Sequence, residues 1–165
     1  MRHFRIGQGF DAHKFAAGRP LILGGVRIPF QFGLEGHSDA DVLTHAVMDA
    51  LLGAAGLGDI GTHFPPTDNA YKNIYSLDLL KIVAHLLTEN GWTVENIDTI
   101  IVCQEPRIAP YVDEMRKNIS ARVPGEPAVS IKATTTEGMG FTGRAEGIAA
   151  LAVSLISRAK EDEHA

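Results

Sequence analysis

Apolar and polar positions along the chain alternate in some stretches and recur with a helical period in others. Phe4–Phe10 reads as a short β-segment interrupted by Gly7 and Gly9. Leu21–Phe30 is apolar and β-branched, with Gly24-Gly25 marking a turn or bulge. Ser38, followed three residues later by Asp41, resembles a capping box. It predicts a helix carried by Val42, Leu43, Ala46, Val47, Ala50, Leu51 and Ala54 and stopped by Gly56 and Gly58. Asp59–Lys72, with Pro65-Pro66 inside it, reads as a long loop, and long loops in small domains tend to carry function. Ser76–Asn90 predicts a second amphipathic helix, and Ile97–Cys103 a strand. Pro110 opens a third helix through Arg122, Ala128–Ala133 is a strand, and the apolar run Gly143–Lys160 reads as a final helix. Residues 161–165 form a solvated tail.

The resulting order is β-β-α-α-β-α-β-α. It predicts an α+β fold, a single mixed four-stranded β-sheet with helices mainly on one face. No composition shift divides the chain, so residues 1–160 are expected to form a single catalytic domain. Apolar strands such as LILGGV and IDTIIVC would leave a bare face in a lone domain, which predicts oligomer formation.

Composition narrows the function. A chain of 165 residues buries roughly 70% of its unfolded surface and needs no covalent staples. The formal net charge of -5 argues against a nucleic-acid binder. A single cysteine, Cys103, rules out an intrachain disulfide and a multi-cysteine zinc site. No run approaches the ~20 apolar residues of a membrane span, and the start lacks a signal-peptide core, so a cytoplasmic location is expected. The seven histidines are the first sign of chemistry.

Asp11 and His13 are two residues apart at the end of an extended segment and so point the same way. On their own they could simply close a turn. His45 lies on an otherwise apolar helix, flanked by Asp41 and Asp49 at four-residue spacing. Such a polar stripe is costly to bury unless it is paired or ligates something. One carboxylate and two imidazoles suit Zn²⁺ or another divalent transition metal and leave a fourth position open, provided the three residues converge. His37 and Ser38, at the expected helix start, offer either an anion pocket or only a cap. Lys132–Arg144 (KATTTEGMGFTGR) supplies hydroxyls, amides, Glu137 and Arg144. That set could bind phosphate, with Glu137 on Mg²⁺, or form a polar turn. It matches neither a Walker A loop nor a dinucleotide fingerprint. Arg107 could clamp phosphate or face solvent. His63 reads as a loop histidine, His85 as a partly buried helical one, and Trp92 and Cys103 as structural.

The stretches RIGQGFDAHKF (5–15), LILGGVRIP (21–29), GHSDADVLTHAVMDALLGAAGLGDIG (36–61) and IKATTTEGMGFTGRAEGIAALAV (131–153) resemble the 2-C-methyl-D-erythritol 2,4-cyclodiphosphate synthase family of the non-mevalonate isoprenoid pathway. The likeness runs nearly end to end. It implies a phosphorus–oxygen lyase in which the 2-phosphate of 4-diphosphocytidyl-2-C-methyl-D-erythritol 2-phosphate attacks the β-phosphorus and expels CMP. It implies Zn²⁺ at Asp11, His13 and His45, and Mg²⁺ or Mn²⁺ at Glu137. His37 and Thr135 match the residues that orient the reacting phosphates. Ser38, Asp59, Ile60, Gly61, Phe64 and Asp68 match the phosphate and erythritol pocket. Cys103, Arg107, Ile108, Ala109, Ala133, Thr134 and Thr136 match the cytidine and diphosphate wall. A homotrimer with active sites between subunits is implied. Its central channel is faced by Phe10, Phe141, Arg144 and Glu146 and could hold an isoprenoid diphosphate. Two positions depart from the pattern: Pro66 stands where the family commonly has an acid, and Arg107 where it often has Lys.

Overall fold

The computed structural model describes residues 1–159 apart from Pro66 and Lys72. The expected tail, residues 161–165, lies outside the described residues, as does Lys160. The strands are β1 (Arg2–Ala16), β2 (Leu21–Leu23), β3 (Val26–Ile28), β4 (Gly33–Leu34), β5 (Thr93–Val102), β6 (Ala128–Thr134) and β7 (Gly147–Ala159). The helices are α1 (Val42–Ala55), α2 (Ile60–His63), α3 (Ser76–Glu89), α4 (Val112–Ser120) and α5 (Gly140–Gly143). Short 3₁₀ turns occupy Asn69–Tyr71 and Ala109–Tyr111.

The α+β class holds, but the sheet has five strands rather than four, in the order β4-β1-β7-β5-β6, and β2 and β3 form a separate hairpin. Among the described residues only β5 and β6 run parallel. The added central strand is β7, over residues that read as a helix. Its Ala149, Ala150 and Ala152 are good helix formers, but β7 lies between β1 and β5, where tertiary context overrides propensity. Ala150, Ala152 and Ser154 are small because α1 lies across β1 and β7 on that side. Ser154 Oγ donates to the Ala50 carbonyl at 2.9 Å.

The glycines of β1 have the same cause. A Cβ on Gly7 would lie 1.9 Å from the Ala50 carbonyl oxygen, and one on Gly9 2.0 Å from that of Ala46. Gly7 and Gly9 therefore do not break the strand; they let α1 rest directly on its backbone. Opposite α1, the sheet exposes Ile6, Phe10, Leu151 and Val153, together with an Asp98–Lys132 ion pair. Helices cover one face and leave this one open.

Gly24 and Gly25 both take positive φ, which closes the β2–β3 hairpin in a two-residue turn. Their amides donate to the two Asp41 carboxylate oxygens at 2.9 and 2.8 Å. Asp41 also caps α1, accepting from Thr44 N at 3.0 Å and Thr44 Oγ1 at 2.7 Å. Asp41, not Ser38, is thus the cap, and no Ser38–Asp41 capping box forms. Burial and the Asp39 charge raise the Asp41 pKa in spite of those donors. Gly56 ends α1 in the left-handed conformation, as its sequence position suggested.

Candidate functional site

Strand β1 and helix α1 bring the three expected ligands together. Asp11 and His13 share the β1 face turned to α1, and His45 sits in the first turns of that helix, almost fully buried. Asp11 Oδ2 lies 3.0 Å from His13 Nε2 and 3.0 Å from His45 Nδ1, and the two nitrogens are 3.3 Å apart. With metal–ligand bonds of about 2.0–2.1 Å, tetrahedral neighbours stand about 3.3 Å apart, so this triangle has the dimensions of a divalent-metal face. Burial alone would raise the Asp11 carboxyl. Hydrogen bonds from His13 and His45, and their charges, instead hold it well below the usual carboxylate range. For His45, burial alone would lower the imidazole, but the Asp11 hydrogen bond and charge, with the Asp41 and Asp39 charges, raise it.

The triangle opens into a cavity of about 250 Å³ lined also by His37, Ser38, Ile60, Gly61 and Phe64. The segment before α1 is strapped from two sides. Arg19 donates to the Gly36 carbonyl at 2.6 Å and the Ser38 carbonyl at 2.5 Å. Asn73 N donates to the His37 carbonyl at 2.9 Å, and Asp39 N to that of Ile74 at 3.1 Å. Ala40 adopts φ 58° within this segment, a strained value for a side chain with a Cβ. His37 Nε2 lies 3.3 Å from the Asp68 carbonyl.

The 59–72 segment is less irregular than its sequence suggested, because α2 forms within it. Asp59 caps α2 through Thr62 N and Oγ1, both at 2.8 Å, and the Thr62 amide bond is the main cause of its lowered pKa. Asp49 accepts from Ile60 N at 2.9 Å and ties α2 to α1. The polar stripe is thus divided: Asp41 and Asp49 fix backbone, while His45 faces Asp11 and His13. Pro66 lies outside the described residues.

Cys103, Arg107, Ile108, Ala109, Ala133, Thr134 and Thr135 line a second pocket of about 440 Å³, and Thr136, Glu137, Phe141 and Arg144 lie outside its lining. Thr136 bonds Thr142 at 3.0 Å. Glu137 is exposed at φ 52°, away from the Asp11 cluster, with its amide 3.3 Å from Thr135 Oγ1. Phe141 is partly exposed, and Arg144 is paired with Glu146 at 2.7 Å. The two pockets are at one level of the sheet. Asp11 pairs with Ala150, Ala150 with Ile101, and Ile101 with Ala133. Three strand spacings, about 14 Å, separate them within one chain.

The minor readings divide. Trp92 is buried under the guanidiniums of Arg5 and Arg158, at 5.3 and 4.5 Å, and Cys103 is buried. His85 is exposed beside Glu89, not partly buried. Sequence reasoning missed Arg19, Asp39 and Ser76. Their roles depend on loop contacts remote in sequence, and a serine opening α3 reads as an ordinary helix start.

The YgbB family profile matches residues 4–157. A 2-C-methyl-D-erythritol 2,4-cyclodiphosphate synthase of Symbiobacterium thermophilum is 62% identical over 153 residues, covering 92% of this chain and 98% of that one. The same-named protein of Pelotomaculum thermopropionicum is 57% identical over 155 residues, covering 93% and 96%. A Plasmodium falciparum IspF solved as a CDP complex superposes with a TM-score of 0.82 at 32% identity, covering 95% of this chain and 97% of that one.

Proposed function

Because the chain belongs to the YgbB family, we propose from its two half-pockets how it works as a 2-C-methyl-D-erythritol 2,4-cyclodiphosphate synthase. It is a phosphorus–oxygen lyase: the 2-phosphate of 4-diphosphocytidyl-2-C-methyl-D-erythritol 2-phosphate attacks the β-phosphorus, and CMP leaves with the cyclic diphosphate formed. The observation that carries the site assignment is the Asp11–His13–His45 triangle at the mouth of a cavity shared with His37 and Ser38.

A phosphate nucleophile is already anionic, so the protein need supply no general base. Its task is to fold the substrate into line and stabilise charge. When bound at the triangle, Zn²⁺ would supply positive charge that polarises the β-phosphorus and steadies the departing CMP. His37 and Ser38 would orient the phosphates above it. Asp59, Ile60, Gly61, Phe64 and Asp68 would bound the erythritol end. Cys103, Arg107, Ile108, Ala109, Ala133, Thr134 and Thr136 would hold the cytidine diphosphate end. Thr135 would set the reacting phosphates in line, and Glu137 would hold Mg²⁺ or Mn²⁺ nearby.

Neither half-pocket alone carries both the metal triangle and the cytidine wall, and within one chain they stand three strand spacings apart. We place the complete site between subunits of a homotrimer, assembled through the open sheet face bearing Ile6, Phe10, Leu151 and Val153. Phe10, Phe141, Arg144 and Glu146 would face its central channel, where an isoprenoid diphosphate could bind. No described helix is long and apolar enough to cross a membrane, and the proposed setting is the cytoplasm.

Phosphorus NMR of the product tests the reading. A cyclic diphosphate with CMP is expected; open monophosphates would make the same pocket a metal-dependent phosphohydrolase. His45→Ala should lose turnover and keep its assembly state. Full activity of metal-free His45→Ala protein would refute the metal assignment.

A further inference from the structure

His45 faces the ligand triangle through one ring nitrogen, and its other nitrogen meets a buried polar relay. His45 Nε2 lies 3.0 Å from Ser76 Oγ and 3.1 Å from Ser38 Oγ. Ser76 is fully buried at the start of α3. Its hydroxyl donates to one oxygen of the Asp39 carboxylate, and its backbone N–H donates to the other at 2.9 Å. Asp39 is held in turn by the Asp41 amide at 3.2 Å.

A serine hydroxyl has one proton to give. With that proton committed to Asp39, Ser76 Oγ presents only lone pairs to the imidazole. An unprotonated Nε2 would then set two lone pairs against each other at 3.0 Å in a dry site, an arrangement that burial makes costly. We propose that Asp39 and Ser76 are positioning residues that fix the His45 tautomer. They keep a proton on Nε2, so that when a metal displaces the Nδ1 proton shared with Asp11 it is the Nδ1 lone pair that joins Asp11 and His13 as a ligand. Nδ1 is the atom that completes the ligand triangle. Carboxylate-anchored partners of this kind orient and tune imidazole ligands.

Ser38 gains a role by the same proton count. Its oxygen accepts from the Ala40 amide at 3.2 Å and can share the Nε2 proton. Its own proton is then free for an anionic group in the cavity it lines. The proposal rests on the metal reading of Asp11, His13 and His45, and not on which reaction follows.

The test uses the zinc-loaded full chain labelled with ¹⁵N-histidine. In the wild type, a slowly exchanging proton is expected on His45 Nε2, with Nδ1 showing the metal-induced shift. Ser76→Ala should speed exchange of that proton. It should also weaken Zn²⁺ binding about 10–100-fold by chelator competition and change the visible spectrum of the Co²⁺-loaded form. These readouts need no turnover, so failure of the relay and failure of the synthase reading separate cleanly. A metal-shifted Nε2 in the wild type would overturn the proposal. So would a folded Ser76→Ala protein with unchanged Zn²⁺ affinity and Co²⁺ spectrum. Should Ser76→Ala fail to fold, the wild-type proton position decides alone.

Discussion

Replacing Gly9 with alanine tests whether the metal site is built by the seating of α1 on β1. The new Cβ would lie 2.0 Å from the Ala46 carbonyl oxygen and 2.7 Å from the Ala50 amide. Comfortable contacts begin near 3.5 Å, so helix or strand must yield by about 1–1.5 Å. The obstacles are backbone atoms, so no side chain can swing aside. Overpacking of this kind costs typically about 1–3 kcal/mol. At about 2–4 °C per kcal/mol for a chain of this size, the midpoint should fall by roughly 2–12 °C. Ala46 follows His45 directly, so the shift lands on the ligand triangle. A displacement near 1 Å can cost about 100-fold in rate. Thermal melting, kcat/KM and Zn²⁺ competition on Gly9→Ala are the assays. Gly7→Ala is the control, because its clash, 1.9 Å from the Ala50 carbonyl oxygen, falls more than one turn further along α1. It should cost similar stability and less metal affinity. A Gly9→Ala protein that melts and binds Zn²⁺ like the wild type would refute the close seating. Equal loss of affinity in both variants would refute its link to His45.

Asp41→Asn should lower stability by about 1–3 kcal/mol in thermal or urea unfolding, because an amide NH₂ replaces one oxygen and faces donors from the Gly24–Gly25 turn or from Thr44. Burial pushes the Cys103 thiol up to about 11, so the folded chain should react slowly with a disulfide reagent at pH 8 and the urea-unfolded chain quickly. A thiol raised on folding supports the folded state fully below its ordinary pKa and loses that support as pH climbs, so unfolding free energy should decline between about pH 8.5 and 11. Ile6→Glu places a charge on the open sheet face, where Ile6 is 72% exposed. Light scattering should show monomers that remain folded and have lost turnover; a stable, active trimer would place the interface elsewhere.

Chemistry was more legible in the sequence than topology. Asp11, His13 and His45 stand out by residue type and by a polar residue on an apolar helix, and the fold adds the convergence that spacing could not supply. The β7 strand was hidden because it is central and packed under α1. Its α1 side uses the small Ala150, Ala152 and Ser154 between Ile148 and Ile156, so the middle of that face lacks β-branched bulk, and alanine imitates a helix. Ser38 looked like a cap because serine commonly is one. Asp41 took that role because one carboxylate could serve the α1 start and the Gly24–Gly25 turn together. The relay through Asp39 and Ser76 left no local trace, since it joins residues 37 apart.

The separation of about 14 Å between the strands that carry the two pockets has a genetic consequence. If each working site draws its metal half from one subunit and its cytidine half from another, lesions in the two halves belong to different complementation groups within a single gene. A chain crippled at His45 and a chain crippled at Thr135, each inert alone, would then rescue one another when made in the same cell. Their mixed assemblies would contain some junctions where both contributing halves are intact.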